Sequence, residues 1–329
     1  MDSPIIKSLG ISFSSNKIYF TELSYEAGNV MLDHVDTAEV EFNFEEDLSK
    51  LKSNQKALTN ISSEIQKYFR KRNSTFSKIS VTIGTSQAFL IILPLDYSEG
   101  RQSLNSKIYW ELSNYYPDTY DDFIINTYRL NSVLPCRDTD EFLIIAVLKN
   151  TLEFIKRIFK LCNVHLDTVD IDHFSAEHNL RRNYNDKLDG KKVLLIGLKD
   201  FRIDYGYIEN KKYRYYCYSK YHSEPEFNLS LARKIHQLLN EKFKTTGLDT
   251  IFLYGDNVKE DTLRMLNKNV HIPVEVINPF ENINSSTEFL KNEELRKTAH
   301  IFSPGCGVAL RTLESAIENH SRKIQKQEN

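Results

Sequence analysis

Four residues in one short stretch have the side chains that chemistry would need: Asp170, Asp172, His173 and His178. Carboxylates and imidazoles are common ligands of a divalent metal. Their spacing argues for a plainer role. His173 and His178 do not share a helical face, and an aspartate where a strand passes into a helix is an ordinary cap, a part Asp172 suits. No Gly-x-Ser-x-Gly elbow occurs, and no Cys/His pair is set up for nucleophilic attack. The cysteines Cys136, Cys162, Cys217 and Cys306 are scattered without metal-ligand spacing, which fits buried thiols in a reducing compartment. The run Tyr213 to Tyr221, YRYYCYSKY, mixes aromatic and basic residues as single-strand nucleic-acid binders do. Its alternation and lack of basic surplus read instead as sheet surface. Two polar bends remain, Ser14-Ser15-Asn16 and Lys199-Asp200, each set between apolar strands.

The elements that hold those bends come in two copies. Leu9 to Leu23, LGISFSSNKIYFTEL, is an apolar strand, a tight bend and an alternating strand. Val193 to Tyr207, VLLIGLKDFRIDYGY, repeats that shape around Gly197. Each hairpin runs on into a third strand, Val30 to Val35 and Tyr213 to Tyr218. A unit repeated in this way predicts a duplicated, two-lobed α/β domain.

The chain has 329 residues, a formal net charge of −2 and no long apolar run. That length supports more than one subdomain. The charge argues against a dedicated nucleic-acid binder. The absence of a membrane-length segment or signal-like apolar core predicts a cytoplasmic protein with no direct membrane insertion.

Between and after the hairpins, apolar spacing predicts an amphipathic helix over 54–72, with a basic end suited to a helix C-terminus. Lys78 to Gly84 and Ala88 to Leu93 read as a strand pair. Residues 94–165 read as an inserted α+β subdomain in the order helix, strand, strand, helix. Its first helix carries Trp110, Tyr115 and Tyr116 and stops at Pro117. Trp110, the only tryptophan, is expected in a core. The first lobe then spans 1–93, completed by 166–188 and a terminal helix 303–322, with a frayed basic tail. The second lobe spans 189–302.

Several stretches together resemble the PilM family. GISFSSNKIYFTEL is similar to the first phosphate hairpin of actin-like proteins. Tyr109 to Pro117 resembles the family's W-E-x-x-x-Y-x-P signature, VEVINPF its P-V-x-x-x-N-P-F, and AHIFSPGCGVALRTLE its closing F-x-x-A-x-G-L-A-L-R. The resemblance implies an actin-like, ribonuclease H-like fold with duplicated mixed five-stranded sheets. It also implies a cytoplasmic place in a type IV pilus assembly platform, peripheral to the inner membrane. The implied partner is the N-terminal peptide of a PilN-like membrane protein, gripped in a groove close to the inserted subdomain, for which Trp110, Tyr115, Tyr116 and Pro117 are the partner-binding candidates. Self-association is left open.

Relatives bind ATP between the lobes, and here the sequence departs from them. The family's first loop reads G-I-D-x-G-x-x-x-x-K. In this chain Ser12 stands for the acid, Ser14 for the glycine and Tyr19 for the lysine, with Ser15, Asn16 and Lys17 nearby. In the second loop D-I-G becomes Leu195-Ile196-Gly197, followed by Lys199 and Asp200. The adenosine loop is reduced to Tyr254-Gly255-Asp256, and the subdomain carrying A-E-x-x-K is absent. Phosphoryl transfer needs a metal held by carboxylates. These losses predict a pseudo-ATPase scaffold with no cofactor, no catalytic residue and no metal. The competing reading is an active actin-like ATPase or sugar kinase whose missing carboxylate comes from Asp200, Asp204 or Asp256, with Asp204 the best placed.

Overall fold

In the computed structural model, which describes residues 5–95, 101–130, 140–242, 247–285, 289 and 292–327, three antiparallel strands open the chain. These are β1 (Ile6–Ser14), β2 (Lys17–Glu26) and β3 (Asn29–Glu39). β1 and β2 stay paired as far as Ser14 with Lys17, so the turn is only Ser15 and Asn16. Ser15 takes the left-handed φ of 49° at this tight turn. Helix α1 (Gln55–Arg72) follows. Asn54 caps its start by accepting from the Ala57 N–H, and left-handed Asn73 ends it. Its apolar face, Leu58, Ile61, Ile65 and Tyr68, covers the sheet. Strand β4 (Lys78–Ile83) then lies parallel to β1.

Strand β5 (Ala88–Leu95) does not pair with β4 as the sequence suggested. It runs antiparallel to β7 (Asp140–Leu148), and β6 (Phe123–Leu130) pairs with β7 on the other side. Both edges of β4 are taken, by β1 and by β8 (Thr168–Ile171), which leaves β5 no place in that sheet. Helix α2 (Arg101–Tyr115) lays Leu104, Ile108 and Leu112 on the three-stranded sheet. Helix α3 (Lys149–Leu161) instead buries Phe154, Ile155, Ile158 and Phe159 in the core shared with α1. The inserted unit therefore starts at Ala88 rather than 94, and α3 belongs to the first lobe.

After β8 comes α4 (Asp172–Asn183), then the second lobe: β9 (Lys192–Lys199), β10 (Arg202–Glu209), β11 (Lys212–Lys220), α5 (Glu224–Gln237), β12 (Thr250–Tyr254), α6 (Glu260–Asn269) and β13 (Val274–Val276). Its sheet runs β11-β10-β9-β12-β13. The first sheet runs β14-β3-β2-β1-β4-β8, where β14 (Asn284–Ser285) adds a sixth, two-residue strand to the expected five. Apart from β14, both sheets have one strand order, third-second-first-fourth-fifth. One face of the second sheet packs on α4 through Ala176, Leu180, Phe252 and Tyr254, and the other face carries α5 and α6.

The chain closes with α7 (Glu293–Lys297) and α8 (Ser303–Gln327). α8 continues to Gln327, past the fraying expected after His320. It packs on the first sheet through Cys306, Ala309, Leu310 and Leu313. Small residues let it come close. A Cβ on Gly10 would lie 1.9 Å from the Gly305 carbonyl oxygen, and one on Gly307 would lie 1.8 Å from that of Ser175 in α4.

Candidate functional site

The floor between the lobes is built from strand and helix ends. Lys199 closes β9, Asp204 lies on β10, Asp172 begins α4, and Thr85 follows β4. All four are buried. The Lys199 ammonium sits 2.5 Å from Asp172 and 2.8 Å from Asp204. The Thr85 hydroxyl donates to Asp204 at 2.7 Å, and the Thr85 N–H to Asp172 at 3.2 Å. The other Asp204 oxygen accepts from Arg202 at 3.0 Å and Tyr216 at 2.6 Å. Burial alone would raise Asp204, but Lys199 and Arg202 hold it well below the usual carboxylate range. Burial likewise works against the charge on Lys199, and Asp172 and Asp204 outweigh it, so its pKa rises. Glu45, bonded by the Ser86 hydroxyl at 2.8 Å, lies near this cluster; burial pushes it up to about 7, with Lys199 opposing.

The three polar turns meet above that floor and bond to one another. Ser14 donates to Asp256, and the Tyr19 hydroxyl reaches the other Asp256 oxygen at 2.7 Å. Ser15 donates to Asp200 at 2.5 Å, and Asn257 donates to the same carboxylate at 2.9 Å. His300 bonds the Gly255 carbonyl at 3.1 Å. Gly255 needs its φ of 106°, and a Cβ there would lie 2.4 Å from the Leu198 carbonyl oxygen. Gly197 leaves room for the Tyr254 ring, whose hydroxyl would lie 2.5 Å from an added Cβ. Ser12 is buried within β1. Lys17 pairs with Glu39 at 4.0 Å. The structure thus brings Ser14, Ser15, Asp200, Gly255 and Asp256 together at one place and puts Lys199 below them. Each of the three aspartates weighed as a replacement acid already has protein partners.

The acid and histidine group of the sequence is dispersed. Asp170 takes Arg311, Asp172 takes Lys199, His173 takes the Tyr254 hydroxyl and His178 takes Glu314. Asp172 does not cap α4 from outside; it is the helix's first residue and accepts from the His173 N–H at 2.6 Å. Among the described residues no group of three or more His, Cys, Asp or Glu is arranged to hold a metal. Cys136 lies outside the described residues.

Two concavities flank this centre. One, of about 600 Å³, lies beside the second turn and is lined by Asp200, Glu224 and Asp261 together with Lys259, Tyr221 and Phe227. The other, of about 550 Å³, lies where the inserted unit meets both lobes. Its walls are the edge strands β6, at Tyr128 to Leu130, and β11, at Lys212 and Tyr213. Phe174 of α4 and Arg311 of α8 also line it. Sequence reasoning, which expected a groove close to the inserted unit, missed the residues that line this one, because they are ordinary and come from five separate elements. Trp110, expected in a core, is 67% exposed, and Tyr115 is exposed beside it. Tyr116 packs on Phe89 and Phe123. Pro117 stands two residues past Tyr115, the last residue of α2. None of these four lines the groove.

Among solved structures, one described as the PilM-PilN type IV pilus biogenesis complex superposes on this chain with a TM-score of 0.76, covering 94% of this chain and 99% of that one at 11% identity. The two share one fold. A Bacteroides thetaiotaomicron protein described as having an actin-like ATPase fold and unknown function matches at 0.49, with 12% identity, over 84% of this chain and 92% of that one. The cytoplasmic domain of EpsL, from the type II secretion system of Vibrio cholerae, matches at 0.43, with 11% identity, over 81% and 94%. No family model and no curated protein matches the sequence. No described helix is long and apolar enough to cross a membrane.

Proposed function

We propose that this chain is a cytoplasmic actin-like scaffold of a type IV pilus or type II secretion-like assembly platform at the inner membrane. In this reading it holds the cytoplasmic tail of a PilN-like membrane protein and does not hydrolyse ATP. The supporting observation is the near end-to-end likeness to the PilM-PilN structure. The groove between β6 and β11 suits such a tail. Edge strands present unpaired backbone groups, and an extended peptide satisfies them by adding a strand. Tyr128, Phe174 and Tyr213 supply apolar surface along it, and its rim carries the ion pairs Arg129–Asp140, Arg181–Glu177 and Lys211–Asp189 beside Lys212.

Magnesium triphosphate suits the residues present poorly. The turns that would cradle phosphate contribute Asp200 and Asp256, like charges for a triphosphate, and their carboxylates are engaged by Ser14, Ser15, Tyr19 and Asn257. Asp172 and Asp204 are neutralised by an ammonium. The neighbouring cavity adds Glu224 and Asp261.

The test is capture of this protein by the N-terminal peptide of a PilN-like single-span membrane protein from the same organism. Enrichment over a scrambled peptide is expected, with at least tenfold weaker binding for Tyr128→Ala. Tyr128 is 51% exposed, so that change should leave the fold intact. Equal capture by the scrambled peptide would refute the reading.

A further inference from the structure

The cleft floor poses a charge problem that the chain solves internally. Two fully desolvated carboxylates, Asp172 from the first lobe and Asp204 from the second, lie close enough to share one ammonium. Unpaired, such groups would repel one another and would pay a large desolvation cost. A bound cation is one remedy. Lys199 is another: its stem runs in from the end of β9, and its three N–H groups reach Asp172, Asp204 and the Thr85 hydroxyl, the last at 3.2 Å. Arg202 balances the second carboxylate, so two cations face two anions.

We propose that the Lys199 ammonium is the resident cation of the inter-lobe floor, clamping the two lobes at one fixed opening without metal or nucleotide. The bridge is covalently attached at one end and crosses the cleft at the other. From β9 it grips Asp172 on the opposite lobe, while Thr85 of that lobe grips Asp204 on β10. The turn contacts Ser14 to Asp256 and Ser15 to Asp200 close the same cleft above it. A lobe opening that separated α4 from β9 would strand a buried ammonium and a buried carboxylate together. The cleft is therefore a joint and not a hinge. This inference does not use the partner reading, and a failed peptide capture leaves it standing.

The experiment compares the full chain with Lys199→Ala and with the charge-balanced pair Lys199→Met and Asp172→Asn. The single change should lower the thermal midpoint by roughly 10 °C, because it leaves a carboxylate buried without its partner. The double variant keeps Arg202 with Asp204 and leaves no unpaired charge, so it should fold. It should nevertheless lose the clamp. Amide hydrogen exchange at residues 83–86 and 197–204 should quicken at least tenfold, and the radius of gyration in small-angle scattering should increase. Exchange and scattering of the double variant that match the parent would overturn the proposal. Amide exchange that quickens evenly over both sheets would also overturn it, since that marks general loosening and not a released joint.

Discussion

Glu45 gives the cleft a pH dependence that can be isolated. Burial raises its carboxyl from the ordinary 4.5 to about 7 in the folded chain. Between those values the unfolded chain has released a proton that the folded chain keeps. Its contribution to stability is therefore full below the lower value and is lost as pH rises toward the upper one. His173 and His300 are pushed down, to about 3 and about 4, by burial. Their contributions run the opposite way, present above about 6.5 and lost as pH falls. They are common to parent and variant. The melting difference, Glu45→Gln minus parent, should therefore climb from pH 5 to pH 7; a flat difference would show that Glu45 is not held neutral. The two polar bends were readable at this scale, since a serine–asparagine or lysine–aspartate pair between apolar runs marks a turn. Their bonds were not. Lys199 and Asp200 are neighbours in sequence, yet one ends a strand pointing into the floor and the other faces Ser15 across the cleft. Trp110 shows the reverse problem: a composition rule favours burial, and the helix turns that position outward.

At the scale of elements, helix and strand periods placed most segments, because an apolar face must meet a core. What they could not supply was partnership. Ala88 to Leu95 is the same unbroken apolar run whether it lies beside β4 or beside β7; the occupied edges of β4 decide. The close approach of α8 was equally hidden, although the SPGCG stretch that permits it stood in plain view. Gly307→Ala would drive a methyl into the Ser175 carbonyl, and should cost about 3 kcal/mol or more in denaturant unfolding. A normal midpoint would mean that the two helices can part freely. At the end of α1, Arg72 grips buried Glu22 with two bonds, at 2.8 and 2.9 Å, and Tyr68 adds a third at 2.6 Å. Arg72→Ala leaves that carboxylate short of its counter-charge and should cost about 3 kcal/mol by the same measurement. A loss below 1 kcal/mol would mean water replaces the guanidinium.

For the whole molecule, one strand order used twice explains why the duplication was legible: the hairpin and its third strand are local in sequence, so both copies announce themselves. The groove between the inserted unit and the lobes was not legible, since no local pattern records which edges will face each other. Ligand linkage tests the cleft as a unit. A nucleotide that binds only the folded chain raises its melting temperature with concentration. Magnesium ATP is expected to leave the midpoint unchanged, and a concentration-dependent rise would restore the ATPase reading. The placing of Trp110 also has a practical consequence. As the only indole, it gives this protein a single fluorophore of its kind, already in water on the outer helix of the inserted unit. Its emission should hardly respond to events in the cleft and should shift to the blue when another molecule covers that helix, so docking there can be followed on the unlabelled protein.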